Sequence, residues 1–140
     1  MWVVFVTMSV MKSVVFCGSS KVMDQMKDWD EFLKANNVKV FIPKDVSNDP
    51  RWSASATEKR QIVSELTLDH FDRISKHDAV FIFNVDGYVG PSTTMEIGYA
   101  FGSGKEIYAM NNDRDEVCRD VLYLKVCPTK EALLKELQNV

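Results

Sequence analysis

The sequence predicts a single three-layer α/β/α sandwich around a parallel five-stranded sheet, and three observations lead there. Strand-like and helix-like stretches alternate along the 140 residues. The strand-like stretches are unbroken apolar runs such as AVFIF (79–83), which suit strands covered on both faces rather than a sheet with one wet side. No repeat, linker or low-complexity tract interrupts the alternation, and the length suits one domain with a proper core.

VVFC (14–17) is a β-branched run ending in Gly18-Ser19-Ser20, a strand followed by a loop. Residues 21–36 then carry Val22, Met26, Trp29, Phe32 and Leu33 at helical spacing, and Asn36-Asn37 stops that helix. VKVFI (38–42) is a second strand, closed by Pro43 and a polar loop to about Ala56. Thr57 is the expected N-cap of a helix reaching Lys76. AVFIFNV (79–85) is a third strand, followed by a helix over about 93–103 with Gly104 as its stop. EIYAM (106–110) and VLYLKV (121–126) complete the sheet, and Pro128-Thr129 opens an amphipathic helix with Ala132, Leu133, Leu134 and Leu137. This order is that of a flavodoxin- or Rossmann-like sheet, in which ligands bind at the carboxyl ends of the strands. Residues 1–10 (MWVVFVTMSV) are too short an apolar run to span a bilayer and lack a basic start and a cleavage site. They read as an extension, an alternative start or an extra edge strand ahead of a domain over 11–140.

Bulk chemistry narrows the function. The net charge is −3 without a basic stripe, which disfavours a nucleic-acid polymer as partner but not a single nucleoside or nucleotide. Cys17, Cys118 and Cys127 are an odd number without CxxC spacing, so neither a disulfide framework nor a zinc site is expected. Each reads as a small core hydrophobe in a reducing, cytoplasmic setting.

The stretch NVDGYVGPSTTMEIGYAFGSGK (84–105) holds two acids in a crowded turn. Asp86-Gly87 is a turn pair, and Thr93-x-x-Glu96 matches a capping box that would fully explain Glu96. The same geometry supports a second reading. A carboxylate in a first helical turn at the sheet's carboxyl edge would stay ionised and face the ligand crevice. There it can attack a carbon bearing a good leaving group, with Asp86 as second acid, as in glycosyl transfer by double displacement.

The segment DAVFIFNVDGYVGPSTTMEIGYAFGSGKEI (78–107) resembles the signature of the nucleoside 2-deoxyribosyltransferase family and its nucleotide N-hydrolase relatives. Asp78, Asp86, Glu96, Gly98, Ala100, Gly104 and Lys105 match that pattern. The resemblance implies cleavage of the N-glycosidic bond of a (deoxy)nucleoside or its 5′-monophosphate, with Glu96 attacking the anomeric carbon and Asp86 contacting the base. It also implies no metal or other cofactor, no membrane, and assembly as a homodimer or higher oligomer. Where family members often carry an Asp on the preceding helix, this chain has His70, amid Ile62, Val63, Leu66 and Ile74. His70 therefore reads either as a core histidine or as a residue touching base or sugar. Gly18, Ser19 and Ser20 form either a tight turn or the sugar side of the site, and Gly87, Tyr88 and Ser92 are candidates for binding substrate. Arg51 and Trp52 sit in a loop that could close over a base. VVFCGSS also resembles the opening of the Lonely Guy phosphoribohydrolases, whose glycine-rich motif is echoed loosely by GYVGPSTTME. A binding or sensing module without turnover is the alternative from another class. On the capping reading, Glu96→Gln is expected to cost about 1 kcal/mol of stability.

Overall fold

The structure is a computed structural model and describes residues 10–138. Five parallel strands are joined in the order β2-β1-β3-β4-β5: β1 Val14–Cys17, β2 Val40–Phe41, β3 Ala79–Ile82, β4 Glu106–Ala109 and β5 Lys125–Val126. Between them run α1 (Met23–Ala35), α2 (Arg51–Ala54), α3 (Ala56–Ser75), α4 (Pro91–Gly102), α5 (Val117–Asp120) and α6 (Lys130–Leu137). This is the expected three-layer α/β/α sandwich with flavodoxin-like strand order.

Strand parity sorts the core into two halves. Val14 and Phe16 of β1 face a layer formed with Met26, Trp29 and Leu33 of α1 and Leu133 and Leu137 of α6. Val15 and Cys17 face the other way, toward Ile74 of α3 and Ile97 and Ala100 of α4. Successive side chains on a strand point to opposite faces, so the VVFC run alone decides that Cys17 belongs to the α3/α4 side. In the first half Phe16, Trp29, Phe81 and Phe83 pack edge-on or stacked, with ring centroids 4.8–6.1 Å apart.

The sheet also places the site. β1 leads by α1 to β2 on one side, and β3 leads by α4 to β4 on the other. The chain thus diverges at the carboxyl ends of neighbouring β1 and β3, opening a crevice at the switch point.

Several boundaries differ from expectation for local reasons. α3 begins after Ser55, whose hydroxyl accepts from the Glu58 N–H at 3.1 Å, so Ser55 and not Thr57 is its cap. The expected fifth strand (121–126) shrinks to Lys125–Val126, because residues 121–124 instead form the turn that follows α5. The buried Asp113 carboxylate holds that turn through Arg119 (2.8 Å) and Tyr123 (3.0 Å). The polar loop after β2 contains α2, where Arg51 pairs with Asp49 and with Glu65 of α3, each at 3.0 Å. Of the cysteines, Cys17 and Cys127 are buried as expected, but Cys118 is exposed on α5. The segment expected as an extension or edge strand lies outside the described residues, apart from an exposed Val10. Among the described residues no helix is long and apolar enough to cross a membrane.

Candidate active site

Three elements bring three polar side chains into one apolar layer. Cys17 stands at the carboxyl end of β1, His70 on the inner face of α3, and Glu96 on the inner face of α4. His70 occupies the next turn in the series Ile62, Leu66, His70 and Ile74, which turns it toward the sheet. Glu96 precedes buried Ile97 and follows buried Thr93 by three residues on α4. The Cys17 Sγ lies 3.2 Å from His70 Nε2, and His70 Nε2 lies 3.7 Å from Glu96 Oε2. All three polar atoms fall within 4.8 Å of one another.

Burial dominates their protonation. The Glu96 side chain is only 15% exposed, and its Oε2 is buried without a hydrogen-bond partner. Burial pushes its carboxyl up to about 7, against a smaller opposing pull from the Cys17 thiol. Burial pushes the His70 imidazole down to about 4, with a small opposing effect from Asp69. The buried Cys17 thiol is raised well above its ordinary range, first by desolvation and then by the neighbouring Glu96. Although His70 and Glu96 are close enough for an ion pair, burial shifts each of them toward its neutral form.

This overturns the capping box. Pro91 takes the first helical position of α4, Gly90 is the N-cap without any side-chain cap bond, and the first turn holds no acid. Glu96 lies a full turn further in, beyond the dipole's strongest reach. Thr94, not Thr93, serves the helix start, its hydroxyl donating to the Gly90 carbonyl at 2.9 Å. Glu96 is therefore not held ionised by a helix start, as its spacing from Thr93 predicted, but held near neutrality by its surroundings.

Two cavities meet at this point. The first, about 530 Å³, is lined by Glu96, His70, Gly18, Ser20 and Ser92, with Phe41, Trp52, Val63, Leu66 and the 43–47 loop as its far wall. The second, about 640 Å³, runs along Gly18 to Val22 and past Val85, Tyr88 and Gly90 to Thr93. Gly18, Ser20 and Ser92 line both and form their junction. Gly18 leaves room only for hydrogen, since a Cβ there would lie 2.9 Å from Met26 Cε and 3.1 Å from Phe83 Cβ. Ser19 lines the second cavity and caps the short helical turn after it by accepting from the Lys21 N–H.

The remaining expected residues are placed differently. Asp86 is exposed in a left-handed conformation (φ 55°) and lines neither cavity. Gly87 is buried behind it and also lines neither cavity. Its φ is +78°, and a Cβ would meet the Asn112 carbonyl at 2.8 Å, so this glycine serves the packing of the turn against the 111–114 loop. Tyr88 lines the second cavity with its ring half exposed and the Arg114 guanidinium 5.5 Å from its centroid. Trp52 lines the first cavity while its indole N–H donates to the Val46 carbonyl at 2.7 Å, which folds the loop back on itself. Arg51 does not line the cavity.

Sequence reasoning missed two features. Cys17 was read as plain core, and only its strand parity, read together with the helical face of His70, could have signalled a polar cluster. Asn84 and Asn111 exchange three hydrogen bonds of 2.7–2.9 Å that lock the turn after β3 to the end of β4. In the sequence Asn84 reads as part of the end of the strand AVFIFNV (79–85), whereas β3 ends at Ile82 and Asn84 instead fastens the turn against Asn111.

The arrangement provides a buried carboxyl poised at neutrality, facing a cavity at the switch point. It can act as a nucleophile when ionised and as an acid when protonated. His70, pushed down to about 4 by burial, is neutral near pH 7 and can accept or donate a hydrogen bond.

No protein-family model and no curated protein matches this chain. Solved structures do. A conserved protein from Enterococcus faecalis aligns with a TM-score of 0.59 at 16% identity, covering 91% of this chain and 98% of that one. A 2-deoxyribosyltransferase from the psychrotolerant bacterium Bacillus psychrosaccharolyticus aligns with a TM-score of 0.59 at 12% identity, covering 86% of this chain and 89% of that one. The chain therefore has a nucleoside 2-deoxyribosyltransferase-like fold.

Proposed function

We propose that this protein cleaves the N-glycosidic bond of a deoxynucleoside, nucleoside or 5′-monophosphate and transfers the sugar to another base or to water. The observation that carries the proposal is Glu96: a buried carboxyl whose Oε2 has no hydrogen-bond partner, at the switch point, lining a cavity large enough for a nucleoside. Its ionised form attacks C1′, the C1′–N bond breaks, and the bond's electron pair leaves with the base. The resulting glycosyl ester is then opened by the acceptor base or water, which regenerates the carboxylate.

In-line displacement needs nucleophile and leaving base on opposite sides of C1′. Glu96 lines the first cavity, and the turn bearing Asp86 adjoins the second through Val85 and Tyr88. The sugar then belongs at the junction, against Gly18, Ser20 and Ser92, with Ser19 beside it. On this reading the base sits in the second cavity against Tyr88, and Asp86 stands outside it on the adjoining turn. His70 contacts the sugar face near Glu96, and Gly87 supports the turn.

The test is incubation with deoxynucleosides, nucleosides and their monophosphates, with and without a free acceptor base, followed by chromatography. Base exchange identifies transfer, and free base alone identifies hydrolysis. Intact-protein mass should show a glycosyl adduct on the wild type and none on Glu96→Gln. Binding without turnover, or full activity in Glu96→Gln, sinks the proposal.

A further inference from the structure

The Cys17–His70–Glu96 cluster contains a problem that glycosyl transfer does not solve. With Cys17 Sγ and His70 Nε2 engaged with each other at 3.2 Å, the buried Glu96 Oε2 is left without a partner. Buried polar atoms are nearly always satisfied, so an orphan of this kind calls for an absent partner.

The spacing and chemistry of the set match a cation. A tetrahedral zinc site with ordinary Zn–S, Zn–N and Zn–O lengths separates its sulfur and nitrogen by about 3.6 Å and its nitrogen and oxygen by about 3.4 Å. The corresponding distances here are 3.2 Å and 3.7 Å, and the third edge is no longer than 4.8 Å. Thiolate, imidazole and carboxylate together suit zinc far better than magnesium or calcium, which take oxygen ligands. The ligands come from three separate elements, which is why no CxxC or HxxxH spacing marks them in the sequence.

We propose that Cys17 Sγ, His70 Nε2 and Glu96 Oε2 bind one zinc-class divalent cation, whose fourth position opens into the first cavity. Binding displaces the Cys17 proton, and any proton on Glu96, to solvent, while His70 binds as the neutral Nδ1–H tautomer. Glu96 cannot ligate a metal and attack C1′ at once, so the cation also switches off the activity proposed above. That last clause rests on the proposed role of Glu96, whereas binding itself does not.

The test uses untagged protein in a Cys118→Ser background, stripped with chelator, because exposed Cys118 offers a competing thiol. Titration with Co²⁺ should give one equivalent of bound metal, with a near-ultraviolet thiolate charge-transfer band and tetrahedral visible bands that Zn²⁺ abolishes. Cys17→Ser, His70→Ala and Glu96→Gln should each weaken binding about tenfold or more. Circular dichroism and thermal melting confirm which variants fold, and Glu96→Gln, nearly isosteric, keeps the test open if another does not. Absence of the thiolate band in the wild type, or unchanged stoichiometry and affinity in Glu96→Gln and Cys17→Ser, overturns the site. Zinc that binds at this stoichiometry yet leaves base release unchanged upholds the site and overturns the Glu96 mechanism. Inhibition by one equivalent supports both.

Discussion

Two carboxylates in this molecule, Asp113 and Glu96, are both shielded from solvent yet are pushed in opposite directions. The Asp113 side chain is fully covered, but it accepts from the Arg119 guanidinium, the Tyr123 hydroxyl and the backbone N–H groups of Asp115 and Glu116. Burial raises its carboxyl, and these bonds together outweigh that effect, holding it down to about 2. Glu96 has burial without such partners, and its carboxyl rises to about 7. Burial alone does not set the protonation of a carboxyl; the donors aimed at it do. A carboxylate with every lone pair occupied serves the architecture, here the loop against which the Asp86–Gly87 turn packs. One left unoccupied beside a cavity is available for chemistry.

The largest test of this contrast is catalytic. Glu96→Gln should lower turnover by about three orders of magnitude or more, while Asp113→Asn should change it modestly and only through the loop. Base-release kinetics on both variants check this, and similar losses in the two would erase the distinction.

Stability should separate them with opposite signs. Removing the Asp113 charge leaves the largely covered Arg119 uncompensated and should cost about 2–3 kcal/mol at pH 7. Glu96→Gln instead removes a charge that the fold disfavours. It should stabilise the metal-free protein by about 2 kcal/mol at pH 8, in place of the 1 kcal/mol loss a capping role implies. Urea unfolding in chelator measures both.

The pH dependence sharpens the same point. Asp113 has a lowered folded-state pKa, so its contribution is present above its ordinary value near 3.8 and is lost as pH falls toward 2. Glu96 has a raised one, so the fold binds its proton more tightly, and stability falls as pH rises from 4.5 through about 7. The advantage of Glu96→Gln over wild type should therefore be small at pH 5 and grow to a plateau above pH 7. Turnover by the metal-free wild type should rise over the same interval, because the carboxylate is the nucleophile. A flat difference between pH 5 and 8 would show that Glu96 is already ionised throughout.

A smaller effect probes the turn that presents Asp86. Gly87→Ala forces a side chain into a left-handed position against backbone and should cost about 2 kcal/mol. Gly18→Ala meets the flexible end of Met26 and should cost about 1 kcal/mol, with a greater loss in substrate affinity than in stability.

Much of this was legible in the chain. Unbroken runs such as AVFIF, helical spacing in 21–36 and the punctuation by Asn36-Asn37, Pro43 and Gly104 are local signals, each contained within one element, and they yielded the order and type of nearly every element. Failures came where a distant contact outvoted local preference. VLYLKV has strand composition throughout, yet its first residues follow α5 because Arg119 and Tyr123 are tied to Asp113. Thr93-x-x-Glu96 has the spacing of a capping box, yet Pro91 starts the helix earlier and moves both residues inward.

By itself the sequence determined the sandwich, the carboxyl-edge loops where a site belongs, and Glu96 as the acid to examine. Tertiary structure decided the rest. It chose which residues share the pocket with Glu96, placed Asp86 outside both cavities, and turned a supposed helix cap into a carboxyl poised near neutrality. The physical reason is separation: Cys17, His70 and Glu96 are far apart in the chain and close only once β1, α3 and α4 have packed. Desolvation, the dominant cause of the Glu96 shift, is a property of that packing rather than of any stretch of residues.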